Sequence, residues 1–253
     1  WSDLVEYWST RATFNKIKAE DNVLDRPGLA ATVLHENEFH GPKIGNYVYR
    51  ASGINLDFNR LLKTGIPGMI VRVEKLAAAA KSPDARSVYK SMRLCLSVLC
   101  NVCRFYSRQA GVMALSTPDS RRKEELLAMS MDLSAITQRR PKTMAEAIQL
   151  FWLYALLANA DNFGRMDMYL GDFYARDLES KRLDNARALE LLQALWRLIA
   201  DEVPGWSGRI FVGGRGRPNE KAADDFALLA MEAARTVRKL IPQLSLRWHR
   251  DMN

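Results

Sequence analysis

The sequence predicts an α/β fold that is mostly helical and ends in a small parallel sheet. Two observations support this class. Apolar residues recur at helical spacing from residue 57 to Ala200. After that point, two short apolar runs at 210–212 and 244–248 flank an amphipathic helix. A strand, a helix and a second strand within roughly 40 residues form a βαβ unit, whose two strands are parallel.

Three regions follow from this reading. We expect an irregular N-terminal segment over residues 1–50, a helical layer over 51–205, and the parallel βαβ unit over 206–253. Helices should account for more than half of the chain, and strands should occur only in its last 50 or so residues.

The first three helices are predicted from periodicity and from their ends. Residues 57–80 are helical with an interruption at Gly65-x-Pro67-Gly68, because glycine and proline break helices. A long helix over 83–111 carries apolar residues at i, i+3 and i+4, from Val88 and Met92 onward. A third helix covers 118–140 and ends at Pro141.

The fourth helix, residues 144–158, is the most apolar stretch of the chain. It is apolar on nearly all sides, which is typical of a buried helix. Thr143 and Glu146 have the spacing of a capping box and mark its start. A polar turn over 161–167 follows, and polar groups held against a buried helix are either structural caps or a site.

The remaining elements complete the predicted fold. Asp184 is expected to cap the helix that follows it. The glycines after residue 212 predict a loop that ends a strand, with arginines facing solvent or a partner. The predicted elements are helices at 172–178, 185–200 and 224–239, and strands at 210–212 and 244–248.

Several motifs carry a resemblance to a known family. EAIQLFW at 146–152, followed by GRMDMYLGDFYARDL at 164–178, resembles the glycyl radical enzymes, the family of pyruvate formate-lyase and the glycerol and diol dehydratases. A second match runs from 209–214 through 242–247, and a weaker one covers 58–68. The matches come in the family's order, so the set is more specific than any one motif.

The resemblance implies a fold and a reaction. The family fold is a ten-stranded α/β barrel wrapped in helices, and this chain resembles its N-terminal part. Family members abstract hydrogen from a small polar substrate with a thiyl radical, and they act as lyases or acyltransferases. The radical is stored on a glycine, and a radical S-adenosylmethionine activase installs it in trans. No bound cofactor is therefore expected.

The resemblance places substrate contacts on this chain but no catalytic residue. It implies that Asn162, Arg165 and Asp167 bind substrate. Arg165 and Asp167 could equally form a structural ion pair. The family's Gly-Cys and Arg-Val-x-Gly-Tyr motifs do not occur in these 253 residues, so the chain by itself is predicted to be inactive.

Two departures from the family pattern keep other functions open. Gly53-Ile54-Asn55 runs directly into Leu56 without the family's histidine, and Asn162-Phe163-Gly164 lacks the extra small residues of relatives. The alternatives are a non-catalytic pseudoenzyme or partner subunit derived from the family, and an unrelated helical interaction module.

No metal site is predicted. HENEFH at 35–40 lacks the i+4 histidine of a zincin helix. Cys95, Cys100 and Cys103 lack a fourth ligand for an iron–sulfur cluster, so we interpret them as core or semi-core thiols.

Composition narrows the partners and the compartment. The net charge of +8 comes from scattered basic residues rather than from a dense stripe interleaved with aromatics, so nucleic-acid binding is not expected. The longest apolar run is too short for a membrane span. Three cysteines and a polar N-terminus without signal-peptide features predict a cytoplasmic protein. By resemblance, the partners are a small substrate, an activating enzyme and a second copy in a homodimer.

Overall fold

The computed structural model describes residues 56–158, 160–202 and 208–250. The predicted irregular segment 1–50 and the histidines of HENEFH lie outside the described residues. The predicted boundary at 205/206 also lies outside them, and the division into regions stays a prediction. The elements are α1 Phe58–Ala79, α2 Pro83–Ser116, α3 Ser120–Ile136, α4 Met144–Leu157, β1 Asn162–Arg165, α5 Met166–Glu179, α6 Asn185–Glu202, β2 Arg209–Gly213, α7 Glu220–Val237 and β3 Gln243–Arg247.

Helices make up more than half of the chain, which confirms the predicted helical content. The interruption predicted in α1 is a kink at Gly65, whose φ is 72°. A Cβ atom there would lie 2.6 Å from the Cα of Arg140, so both the backbone conformation and the close approach require glycine. The helix nevertheless continues through Pro67.

The long helix α2 has a buried face only in its second half. Leu99 and Cys103 are buried, whereas Val88, Met92 and Cys95 are exposed. The predicted apolar stripe is therefore wrong for the first half of the helix, and the predicted core thiols are confirmed for Cys100 and Cys103 but not for Cys95. Periodicity marks an apolar face, but it does not show how far the neighbouring helices extend along that face.

The next two helices begin at caps, and α3 ends earlier than predicted. Asp119 accepts a hydrogen bond from the backbone N–H of Arg122 at 2.6 Å and caps α3, which ends at Ile136 instead of Arg140. At the start of α4, Thr143 accepts from the backbone N–H of Glu146 at 3.2 Å. The Glu146 carboxylate in turn accepts from the backbone N–H of Lys142 at 2.7 Å and interacts with the backbone N–H of Thr143, as the predicted capping box requires.

Three parallel strands form one sheet in the order β1-β2-β3. The predicted parallel pairing of the last two strands is confirmed, with Ile210 opposite Leu244. The prediction of strands only near the C-terminus is wrong, because β1 lies where a polar turn was expected. This strand has four residues, of which only Phe163 is buried, so it carries no alternating apolar pattern.

Two helices begin earlier than predicted, and they pack closely on each other. α5 begins at Met166, and α7 begins at Glu220 after the cap residue Asn219. A Cβ atom at Gly171 of α5 would lie 2.9 Å from the carbonyl oxygen of Ala222 in α7. Asp184 accepts from the backbone N–H of Arg187 at 2.7 Å, which confirms the cap predicted for α6.

One hydrophobic core joins the helices to the sheet. It contains α4 with Phe151, the middle of β1 with Phe163, and α6 with Trp196, each of them almost fully buried. Among the described helices, none is both long and apolar enough to cross a membrane.

Candidate functional site

The carboxyl ends of β1 and β2 meet at one edge of the sheet. Arg165 is the last residue of β1, and Gly213 is the last residue of β2. The Arg165 Nη2 donates to the carbonyl oxygen of Gly213 at 2.5 Å. In α/β folds, ligand sites form beyond the carboxyl ends of parallel strands, so this edge is where a site is expected.

Asp167 lies in the first turn of α5, directly behind this edge, and its side chain has no exposed surface. Its carboxylate accepts from the backbone N–H of Gly213 at 2.9 Å, from Arg165 Nε at 3.3 Å and from Arg217 Nη1 at 3.1 Å. Both carboxylate oxygens are therefore engaged within the protein. A buried carboxylate with this many donors ties α5 to the ends of both strands.

Arg217 is the centre of this arrangement, although it lies in the glycine-rich loop after β2. Its side chain is only 1% exposed, and it forms ion pairs with Asp167, with Glu220 at 2.6 Å and with Asp224 at 2.6 Å. Burial alone would lower the pKa of Arg217, but the hydrogen bonds to Asp224, Glu220 and Asp167 outweigh it and raise the pKa. The guanidinium therefore stays charged at any physiological pH.

Arg165 is the member of the cluster that reaches solvent. Its side chain is 20% exposed, whereas those of Asp167 and Arg217 are buried. Asn162 lies at the start of β1 and is half-buried, and its Oδ1 accepts from the backbone N–H of Gly164 at 3.0 Å. This bond closes an Asx turn at the point where the register of β1 shifts.

Tyr169 of α5 forms a hydrogen bond to the backbone of β1. Its hydroxyl donates to the carbonyl oxygen of Phe163 at 2.8 Å, and its ring stacks on Phe151. Burial, with a smaller contribution from Asp167, raises the pKa of Tyr169 well above its ordinary value. The phenol therefore remains a neutral hydrogen-bond donor.

The structure brings two of the three predicted substrate-binding residues into contact. Arg165 and Asp167 form the ion pair that was the structural alternative, while Asn162 makes a local turn. Arg217 was missed, and the interpretation of the loop arginines as facing solvent is wrong for it. The sequence did hold a signal for the burial of Arg217. Glu220 and Asp224 follow it by three and seven residues, and on a helix that begins just after the arginine this spacing places both carboxylates on the side that faces it.

No cluster of three or more histidine, cysteine or acidic side chains suited to a metal occurs within the described ranges. The polar groups at this edge are the guanidinium groups of Arg165 and Arg217, the Asp167 carboxylate, the Asn162 amide and the backbone of Gly213. Such groups bind and orient hydroxyl, carboxylate or other oxygen-bearing substrates through directional hydrogen bonds.

Comparison with known proteins identifies the family. The pyruvate formate lyase-like family matches residues 4–253. The chain is 27% identical over 210 residues to trans-4-hydroxy-L-proline dehydratase of Clostridioides difficile, covering 77% of this chain and 25% of the relative. It is 22% identical over 276 residues to (2S)-3-sulfopropanediol dehydratase of Klebsiella oxytoca, covering 98% of this chain and 33% of the relative.

A solved structure shares the fold. The B12-independent glycerol dehydratase from Clostridium butyricum superposes with a TM-score of 0.66 at 22% identity, over 84% of this chain and 30% of that one. The chain thus spans a quarter to a third of the length of these proteins. Its family match runs through the helices, the sheet and the Arg165 cluster, so the chain belongs to the pyruvate formate lyase-like family, the glycyl radical enzymes.

Proposed function

We propose that this chain forms the helical layer and first strands of a glycyl radical dehydratase or lyase, with a ten-stranded barrel, that acts on a small polar substrate. The observation that carries the proposal is the position of Arg165, at the carboxyl end of β1 beside the end of β2. The matched relatives support the reaction class, since two of them are dehydratases of hydroxylated compounds.

The reaction we propose is hydrogen abstraction followed by elimination. A cysteine thiyl radical takes a hydrogen atom from a substrate carbon, which forms an S–H bond and a carbon radical. In a dehydratase the neighbouring hydroxyl then leaves as water with one proton, and the product radical recovers a hydrogen atom from the thiol. The thiol and the radical-storing glycine belong to motifs that these 253 residues do not contain.

This chain's own residues would bind and orient the substrate. Arg165 has exposed surface and N–H groups at the strand edge, and Asn162 offers an amide at the other end of β1. Asp167 is fully enclosed, so its contribution to substrate binding is to fix the Arg165 guanidinium rather than to touch the ligand.

The remaining parts of the proposal come from the family. We propose a cytoplasmic homodimer that is activated by a radical S-adenosylmethionine enzyme and carries no other bound cofactor. The non-catalytic alternative rests on two departures from the family pattern, the missing histidine between Gly53 and Asp57 and the short segment Asn162-Phe163-Gly164.

Electron paramagnetic resonance tests the proposed activity. The whole open reading frame that encodes these residues is expressed and incubated anaerobically with an activase, S-adenosylmethionine and reductant. We expect a glycyl doublet that is lost in air, and consumption of a small hydroxylated substrate. If the activated frame gives no doublet while a known family member does, the non-catalytic alternative is supported.

Substrate kinetics test the role of Arg165. In the activated enzyme, Arg165→Ala is expected to raise KM by about tenfold, the loss of one charge-assisted hydrogen bond. Arg235→Ala is the matched control, because Arg235 is an exposed arginine on α7 that pairs only with Glu232 among the described residues. An unchanged KM combined with a lower melting temperature would show that Arg165 is only structural.

A further inference from the structure

Helix α2 carries a stripe of cations on its solvent face. Asp84 in its first turn is its only acidic residue. The helical repeat of 3.6 residues places the stripe within about a sixth of the helix circumference and along roughly 33 Å. The five cations, all on exposed residues, are Arg86, Lys90, Arg93, Arg104 and Arg108.

Most of these cations have no acidic partner among the residues that the structure describes. Arg93 pairs with Glu74 of α1 at 2.8 Å. Within the described part of the chain, Lys90, Arg104 and Arg108 have no carboxylate within 4.0 Å. Isolated exposed cations in a row create a positive potential that falls off over about a Debye length, roughly 8–10 Å.

A second stripe of large apolar side chains runs beside the cations. Leu94, Val98, Phe105 and Val112 follow one another at i, i+4, i+11 and i+18, so they line one side of α2. Leu94 is 65% exposed, and Val112 is 62% exposed. This stripe is separate from the buried face that carries Leu99 and therefore does not serve the core.

The apolar stripe continues into a groove against the end of α4. Val98 and Phe105 form one wall, and Leu153, Leu156 and Leu157 form the other. The groove has a volume of about 390 Å³ and an almost entirely apolar lining. We call the groove together with the adjoining cations Arg104 and Arg108 the α2–α4 surface.

We propose that the α2–α4 surface docks an amphipathic helix of another polypeptide, with its apolar stripe in the groove and acidic residues facing Arg104 and Arg108. Helices bind grooves through apolar anchors spaced at i, i+3/i+4 and i+7, and flanking charges set their orientation. An anionic membrane would also attract the cations, but a flat bilayer surface does not fill a groove between two helices.

Binding of a synthetic probe tests the proposal directly. The probe is a fluorescein-labelled helical peptide of about 18 residues, with one leucine stripe flanked by glutamates. Two matched peptides replace the glutamates with lysines, or scramble the sequence so that no stripe forms. Fluorescence anisotropy against the purified protein expressed from the whole open reading frame that encodes these residues should show the glutamate peptide binding at least about tenfold more tightly than either control.

Variants of the chain locate the binding. Phe105→Asp and the double variant Arg104→Glu/Arg108→Glu should each weaken binding about tenfold, and Lys123→Glu on α3 should not. All of these positions are exposed, so circular dichroism should show unchanged helix content. The charge variant alone should also remove the salt dependence of binding.

Three results would overturn the proposal. If the scrambled glutamate peptide binds as tightly as the striped one, binding depends on charge alone and the apolar groove takes no part in it. Binding to phosphatidylserine vesicles but not to the glutamate peptide would assign the surface to a membrane. No binding of any peptide would show that the surface has no affinity for acidic helices.

Discussion

Two clusters of buried carboxylates and arginines in this chain differ in how completely they are paired. At the sheet edge, the Asp167 carboxylate contacts two arginines and a backbone N–H. Arg217 forms ion pairs with three carboxylates, those of Asp167, Glu220 and Asp224. We call these residues, with Arg165, the sheet-edge cluster. It holds no acidic group that lacks a cation.

The second cluster joins the end of α3 to α4 and α5. Arg139 makes two hydrogen bonds of 2.6 and 2.7 Å to Glu146, and Arg182 pairs with Asp177 at 2.8 Å. Asp132 lies near both carboxylates without an arginine of its own among the described residues. Burial, followed by repulsion from Glu146, raises the pKa of Asp132 to about 6. We call this the helix-end cluster.

Within the helix-end cluster, the contrast indicates that pairing, and not burial alone, sets the direction in which the pKa of an enclosed acid shifts. In the helix-end cluster, burial would raise the pKa of Glu146, but Arg139 and the backbone N–H of Lys142 outweigh it and lower the pKa. Asp132, with less help from its neighbours, shifts in the opposite direction. The predictions below test this contrast.

The largest effect is expected at the sheet edge. Arg217→Met should lower the free energy of unfolding by about 3–5 kcal/mol, because it leaves Asp167 buried with only the peripheral Arg165 as a cation. Urea denaturation at neutral pH measures it. Arg235→Met on α7 removes an exposed pair with Glu232 and should lower the free energy of unfolding far less. Equal losses in both variants would refute the special role of the buried arginine.

A smaller effect is expected in the helix-end cluster. Arg139→Met should cost about 1–2 kcal/mol at neutral pH, discounted because the arginine is partly exposed. Glu146 has a lowered pKa, so its stabilising contribution is present above its unfolded pKa and is lost as the pH falls. The cost of the substitution should therefore shrink toward pH 3. A cost that stays constant from pH 7 to pH 3 would mean that packing, not charge, explains it.

Asp132 gives the smallest effect, with the opposite sign. Its folded pKa of about 6 lies above its unfolded value of 3.8, so its contribution to stability is present at low pH and is lost as the pH rises through about 6. Asp132→Asn should therefore stabilise the chain by about 1 kcal/mol at pH 8 and by nothing near pH 4. Thermal melts at the two pH values measure this effect, with Asp201→Asn on α6 as an exposed control. Equal stabilisation by Asp132→Asn at both pH values would contradict it.

Much of the fold could be predicted because helices and caps are local. Thr143 and Asp184 lie next to the helices they cap, and the apolar runs of β2 and β3 flank one amphipathic helix. β1 could not be predicted this way. It is a four-residue strand whose existence depends on pairing with β2, more than 40 residues later in the chain.

The site was predictable only in part. The resemblance singled out Arg165 and Asp167, which are two residues apart and do meet. It could not reveal Arg217, because the Asp167–Arg217 contact spans 50 positions and depends on how the loop after β2 folds back. Substrate binding by Asn162, Arg165 and Asp167 stays a prediction. The KM measurement on Arg165→Ala tests it for Arg165.

The central claim is that the Asp167–Arg217 pair fixes the ends of β1 and β2 and holds the Arg165 guanidinium at this edge of the sheet. The coupling free energy between Asp167 and Arg217 tests this claim most directly. Asp167→Asn, Arg217→Met and the double variant form a double-mutant cycle measured by urea denaturation at pH 7. We expect a coupling free energy of about 2–3 kcal/mol, so that the double variant is far less destabilised than the sum of the single variants. A coupling near zero would contradict the account, because the two side chains would then stabilise the fold independently of each other.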